Sequence, residues 1–190
     1  MARRVCLSGA IVVGGYQAVA LLLAAPFLAV DHIIVRGNDQ LSESEVLALV
    51  SGLVGENILA VDLEAHRQHL MTSPWLRDGT LRRILPSTVE VIVTERRPIA
   101  VARFADRLYL VDKRGTVIDR HTPRFAEFDL PIIDGLATPD TQAAVDDPGR
   151  MALAALVLEQ LGPHPAVLDV ISQIDVSDPY DAVVLLDADP

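Results

Sequence analysis

DHIIVRGNDQLSESEVLALVSGLVGENILAVDLEAHRQHLMTSPWLRDGTLRRILPSTVEVIVTERRP, residues 31–98, is the stretch that decides the fold. It opens with the β-branched strand His32-Ile33-Ile34-Val35-Arg36, closed by the turn signal Gly37-Asn38. Ser42 and Glu45 have capping-box spacing, in which the Ser42 hydroxyl accepts the Glu45 amide and Glu45 reaches back to the Ser42 amide. The helix they start turns Val46, Leu47, Leu49, Val50 and Leu53 inward, and Gly52 or Gly55 stops it. Asn57 to Val61 links to a second helix with Asp62 as its N-cap and Leu63, Leu70 and Met71 on its core face. Pro74 ends that helix, and Trp75 and Leu76 bury the junction. Leu81–Leu85 and Thr88–Glu95 then predict a hairpin turned at Pro86-Ser87. Val89, Val91 and Val93 face the helices, and Ile92 makes the other face only partly wetted. Arg96-Arg97-Pro98 breaks the pattern and marks a boundary. The order is β-α-α-β-β.

Upstream, no charged residue occurs from Val5 to Val30, with Arg3 and Arg4 before the run and Asp31 after it. Twenty-six helical residues would span about 39 Å, more than the roughly 30 Å of a bilayer's hydrocarbon core. Basic residues on the N-terminal flank alone predict a cytoplasmic N-terminus with the bulk of the chain exported. The rival reading is a cleaved signal peptide, whose apolar region is ordinarily about 7–15 residues. The small-residue pattern Ala18-Val19-Ala20 runs straight into Leu21-Leu22-Leu23, and the later candidates end beside Pro26 or two residues after Phe27, so an uncleaved anchor is the expectation.

Downstream, the pattern changes to short strands and close turns: Ile99–Phe104, Leu108–Val111 and Thr116–Asp119, with Gly115 supplying positive φ in the second connection. Leu130–Gly135 is extended, Thr138–Gly149 is a polar loop, Met151–Leu161 is a helix, and Val170–Val176 and Ala182–Leu186 are strands. The expected class is α+β. Residues 1–30 make a tail and transmembrane helix, 31–97 the β-α-α-β-β domain, and 98–190 a mostly antiparallel β domain with one helix.

Charge is unevenly spread over a chain with net charge −10. Residues 64–124 hold 12 of the 16 basic residues against 7 acids, whereas 125–190 hold 13 acids and only Arg150. The basic middle has no aromatic platform and no recognition helix, and its arginines alternate with apolar residues on expected strands, which argues against nucleic acid. The one cysteine, Cys6, excludes an internal disulfide, and Arg3-Arg4-Val5 ahead of it is not a lipoprotein signal. His66 and His69 lie three apart on the second helix, but Glu64 faces elsewhere and no third ligand has metal-site spacing. Two solvated histidines are the simpler reading. Asp187 and Asp189 resemble a sugar-nucleotide metal motif, although two acids are a short signal. Gly52-Leu53-Val54-Gly55 has no lysine after it and reads as a helix terminus rather than a phosphate loop. No catalytic, cofactor-binding or metal residue is assigned, and no cofactor is expected.

The 31–98 unit resembles a POTRA domain of the FtsQ/DivIB type. The residues that carry the resemblance are Val35-Arg36-Gly37-Asn38, Asn57-Ile58-Leu59, Pro74-Trp75-Leu76, the run from Arg82 to Val91, and Glu95-Arg96-Arg97-Pro98. Tyr109-Leu110-Val111-Asp112, Gly115-Thr116-Val117-Ile118 and Leu130-Pro131-Ile132-Ile133 are similar to the start of that family's β domain. The resemblance implies a non-enzymatic divisome scaffold in the cell inner membrane at the septum. It crosses the membrane once, binds FtsB and FtsL, and helps control the peptidoglycan synthase pair FtsW and FtsI. It also implies further β-domain strands beyond Leu186, including the edge that accepts a strand from FtsB. An export or outer-membrane assembly component would instead carry tandem POTRA units and a barrel, and a membrane-anchored cell-wall enzyme would gather titratable residues in a cleft.

Overall fold

The computed structural model describes residues 14, 15, 17, 26–126, 128–136, 147–168 and 170–186. The described chain divides into two units, Met1–Glu95 and Arg96–Pro190.

In the first unit, β1 (His32–Arg36), β3 (Thr88–Glu95) and β2 (Leu76–Ile84) form a three-stranded sheet in the order β1-β3-β2. β1 runs parallel to β3, and β2 antiparallel to it. Helix α1 (Glu43–Leu49) starts at the expected capping box: the Ser42 hydroxyl accepts the Glu45 amide, and the Glu45 carboxylate accepts the Ser42 amide at 2.7 Å. Helix α2 (Leu63–Leu70) starts at Asp62, which accepts the Glu64 and Ala65 amides at 3.0 and 3.1 Å. Val46, Val50, Leu53, Ile58 and Leu70 meet Val89, Val91 and Val93 in a fully buried core, each side chain worth about 1.5–3 kcal/mol in apolar burial. The carboxylate of Glu95 accepts the amides of Asp39, Gln40 and Leu41 and holds the loop that leads into α1.

Two expectations need correction here. β2 begins at Leu76 rather than Leu81, with a bulge between Leu76 and Asp78. Arg77-Asp78-Gly79-Thr80 lacks strand alternation because Gly79 lies beneath helix α2, where an added Cβ would sit 2.8 Å from the Leu70 Cδ2. The expected transmembrane helix does not reach Val30. Pro26–Leu28 is a 3-10 turn, Ala29 pairs with Asn57, and Leu28 and Val30 are buried in the domain core. Gly14, Gly15 and Gln17 are helical, while Cys6 and the rest of the uncharged run lie outside the described residues. Among the described residues no helix is long and apolar enough to cross a membrane.

The second unit holds β4 (Ala100–Phe104), β5 (Arg107–Val111), β6 (Val117–Arg120), β7 (Ile132–Asp134), helices α3 (Pro148–Leu161) and α4 (Pro165–Leu168), β8 (Ile171–Asp175) and β9 (Val183–Leu186). Its sheet order is β6-β5-β4-β7-β8-β9. The outer pairings are antiparallel hairpins, but β4-β7 and β7-β8 are parallel: the segment after β6 returns the chain to lie beside β4, and α3 carries it back across the sheet between β7 and β8. The antiparallel character expected from the short turns is therefore confined to the two flanks. Ala100, Ala102, Tyr109, Ile133 and Ile174 pack with Met151 and Ala154 of α3. Val101, Leu110 and Ile118, of opposite parity, are buried as well, so the inner strands read as apolar runs. Gly115 has the expected positive φ of 78°. Asp112 accepts the Arg114 and Thr116 amides and the Arg96 guanidinium, each within 2.9 Å, and so fixes the β5–β6 loop.

Candidate interaction surfaces

The residues singled out for chemistry are not brought together. Glu64 is held by Arg67 through two hydrogen bonds of 2.8 and 2.9 Å, and the Arg67 guanidinium keeps the Glu64 carboxyl below its ordinary pKa. His66 is half-buried beside Gly52, with its Nε2 3.8 Å from Glu56, and His69 is exposed. Among the described residues no group of three or more His, Cys, Asp or Glu could hold a metal. Asp187 and Asp189 lie outside the described residues. Gly55, at φ 87°, closes the turn after Ser51–Leu53, consistent with a helix terminus.

What the chain offers instead is sheet. On the face of the first unit away from the helices, Glu90 is only 4% exposed, yet it points outward between the two outer strands. Arg36 of β1 donates Nε to its Oε1 at 2.8 Å, and Arg82 of β2 donates two hydrogens to its Oε2. Arg82, foremost, and Arg36 favour the charged form and hold the Glu90 carboxyl below the usual carboxylate range against the cost of burial. The sequence signal was present but easy to miss. Arg82 and Glu90 lie four residues either side of Pro86, so the turn sets them directly opposite. On the helix face, Arg83 donates to the Ile58 and Val61 carbonyls at 2.6 Å and secures the link between the helices.

The sheet edges differ in character. β2 carries Arg77, Asp78, Arg82 and Arg83 and a bulge, all of which discourage pairing with another chain. β6 is short, ends in Asp119-Arg120 and pairs through a bulge. β9 pairs through a bulge as well, with a register shift between Ile171 and Gln173 of β8, but it carries no charged residue: among the described residues it is bonded on one side only, and Val183, Leu185 and Leu186 are 58%, 43% and 53% exposed. An apolar strand bonded on one side among the described residues is suited to receive one more strand.

Comparison with known proteins settles the family. Residues 28–96 match the POTRA domain, FtsQ-type. Over 163 residues the chain is 31% identical to the cell division protein FtsQ of Koribacter versatilis, covering 84% of this chain and 46% of that protein. The chain belongs to the FtsQ family. It is also 32% identical over 166 residues to the FtsQ of Myxococcus fulvus, covering 84% of this chain and 57% of that protein, and 38% identical over 120 residues to the FtsQ of Corynebacterium glutamicum. The chain spans about half the length of the curated relatives it matches. The FtsQ-type match starts at residue 28, which agrees with Leu28 and Val30 lying in the POTRA core.

Proposed function

We propose that this FtsQ-family chain is a non-enzymatic scaffold of the division machinery that crosses the inner membrane once and recruits partners outside the cytoplasm. The observation that carries this reading is the likeness over 84% of the chain to proteins named as cell division FtsQ. With residues 26–30 assigned to the POTRA unit, the uncharged run from Val5 to Ala25 would span about 31 Å as a helix, close to a bilayer core. Arg3 and Arg4 orient it with the N-terminus in the cytoplasm. The partners are FtsB-like and FtsL-like proteins and, through them, an FtsW/FtsI-type synthase.

The physical means is strand addition on the β9 side of the six-stranded sheet, at the edge formed by the further strands that the family resemblance sets beyond Leu186. Backbone pairing supplies affinity, and pockets for alternate side chains supply register. Tethering to the membrane confines both partners to a thin layer and raises their effective concentration. A photo-crosslinking scan of the membrane-embedded protein tests this: probes on the outermost strand of the β9 side should capture an FtsB-like chain, and the same probe at Arg120 on β6 should not. Equal capture from both edges, or from neither, contradicts recruitment through the β9 side.

A further inference from the structure

We infer that the end of the POTRA unit joined to residues 26–30 rests in the interfacial layer of the lipid bilayer, held there by an apolar rim of Phe27, Val54, Leu59, Ile84 and Leu85. The inference builds on the reading that Val5–Ala25 crosses the membrane. Backbone hydrogen bonds bring the five positions to one end. Val30 donates to the Glu56 carbonyl, Gly55 to Val30, and Ile58 to Leu28, so Val54 and Leu59 flank a seam paired with the segment that follows the uncharged run. On its other side Asp31 and His32 both donate to the Ser87 carbonyl, which sets the Ile84-Leu85 turn against the same segment. Arg83 ties the two sides together through its bonds to Ile58 and Val61.

The rim residues are 41–62% exposed, an unusual concentration of large apolar side chains at one end of a small domain. The remaining large exposed hydrophobe of the POTRA unit, Ile34, is two residues into β1. The opposite end is polar: Asn38, Asp39, Gln40, Ser42 and Glu43 lie there with Arg77, Asp78 and Thr94. The occupant is lipid because the rim flanks, on two sides, the segment through which the uncharged run enters the domain, so the bilayer surface is the nearest apolar phase. The acids at this end do not repel such a surface unaided. Asp31 lies 3.9 Å from His32, Glu56 lies 3.8 Å from His66, and Arg82 and Arg83 are adjacent to the turn.

The test uses the full chain with Cys6→Ser, reconstituted in phosphatidylcholine vesicles, carrying the environment-sensitive dye NBD on a single cysteine introduced by Val54→Cys, Leu59→Cys, Leu85→Cys, Gln40→Cys or Leu22→Cys. Labels at 54, 59 and 85 should emit at shorter wavelength and be quenched several-fold by lipids bearing a shallow nitroxide, while the label at 40 stays water-like and that at 22 is quenched by a deep nitroxide. Adding Leu59→Glu and Leu85→Glu should abolish quenching at 54 with the far-ultraviolet circular dichroism unchanged. A quenched label at 22 with water-like labels at 54, 59 and 85 would overturn the rim and leave the anchor standing. An unquenched label at 22 would overturn both. A blue shift at the rim without nitroxide quenching would assign it to a protein contact and overturn the lipid assignment.

Discussion

Arg82 and Glu90 stand directly across from one another on β2 and β3, and the Arg82 guanidinium gives two hydrogen bonds to a single Glu90 oxygen. Arg36, from the strand on the other side, takes the second oxygen. One carboxylate thus links all three strands of the POTRA sheet. Its charge is supported on both sides, which is why an outward-facing acid can be almost fully covered.

Acid should therefore weaken this unit through Glu90. Its folded pKa lies below its unfolded value, so the stability it contributes is complete above the ordinary glutamate range and is lost as pH falls through the depressed value. Urea midpoints between pH 7 and pH 3 should fall in the native protein. Glu90→Gln should be less stable at pH 7 and show a flatter fall, because two arginines then face an uncharged amide.

The two helix caps give a second expectation. Ser42→Ala and Asp62→Ala each remove a side-chain acceptor from amides at a helix start, at a cost of about 1 kcal/mol by denaturant unfolding. The two sites start separate helices, and the effects should add to within a few tenths of a kcal/mol.

Gly79 and Leu70 should behave as a coupled pair. Gly79→Ala pushes a methyl into the space of Leu70 Cδ2 and should cost about 1–3 kcal/mol. Leu70→Ala alone, at a fully buried position, should cost about 2–5 kcal/mol. The double variant should be more stable than the sum predicts, because the second change vacates the space the first one needs.

Most of the POTRA unit was legible in the sequence because its signals are local. The capping box at Ser42, the N-cap at Asp62 and the Val89-Val91-Val93 alternation each act within a few residues. The start of β2 was not legible, since Gly79 is chosen by α2 above it and not by its neighbours in sequence. Nor was the burial of Glu90, whose alternation reads as a solvated acid until two arginines from other strands lie over it. In the second unit, short turns announced the hairpins on both flanks. The parallel pairing of β4, β7 and β8 depends on where the chain returns after long connections, which no local pattern encodes.

The most direct measurement is depletion of the protein in the bacterium that makes it, with septa and a fluorescent FtsB-like protein imaged together. A scaffold of the division machinery predicts filaments without septa and an FtsB-like protein dispersed from midcell. Normal septa with the FtsB-like protein still at midcell would contradict it.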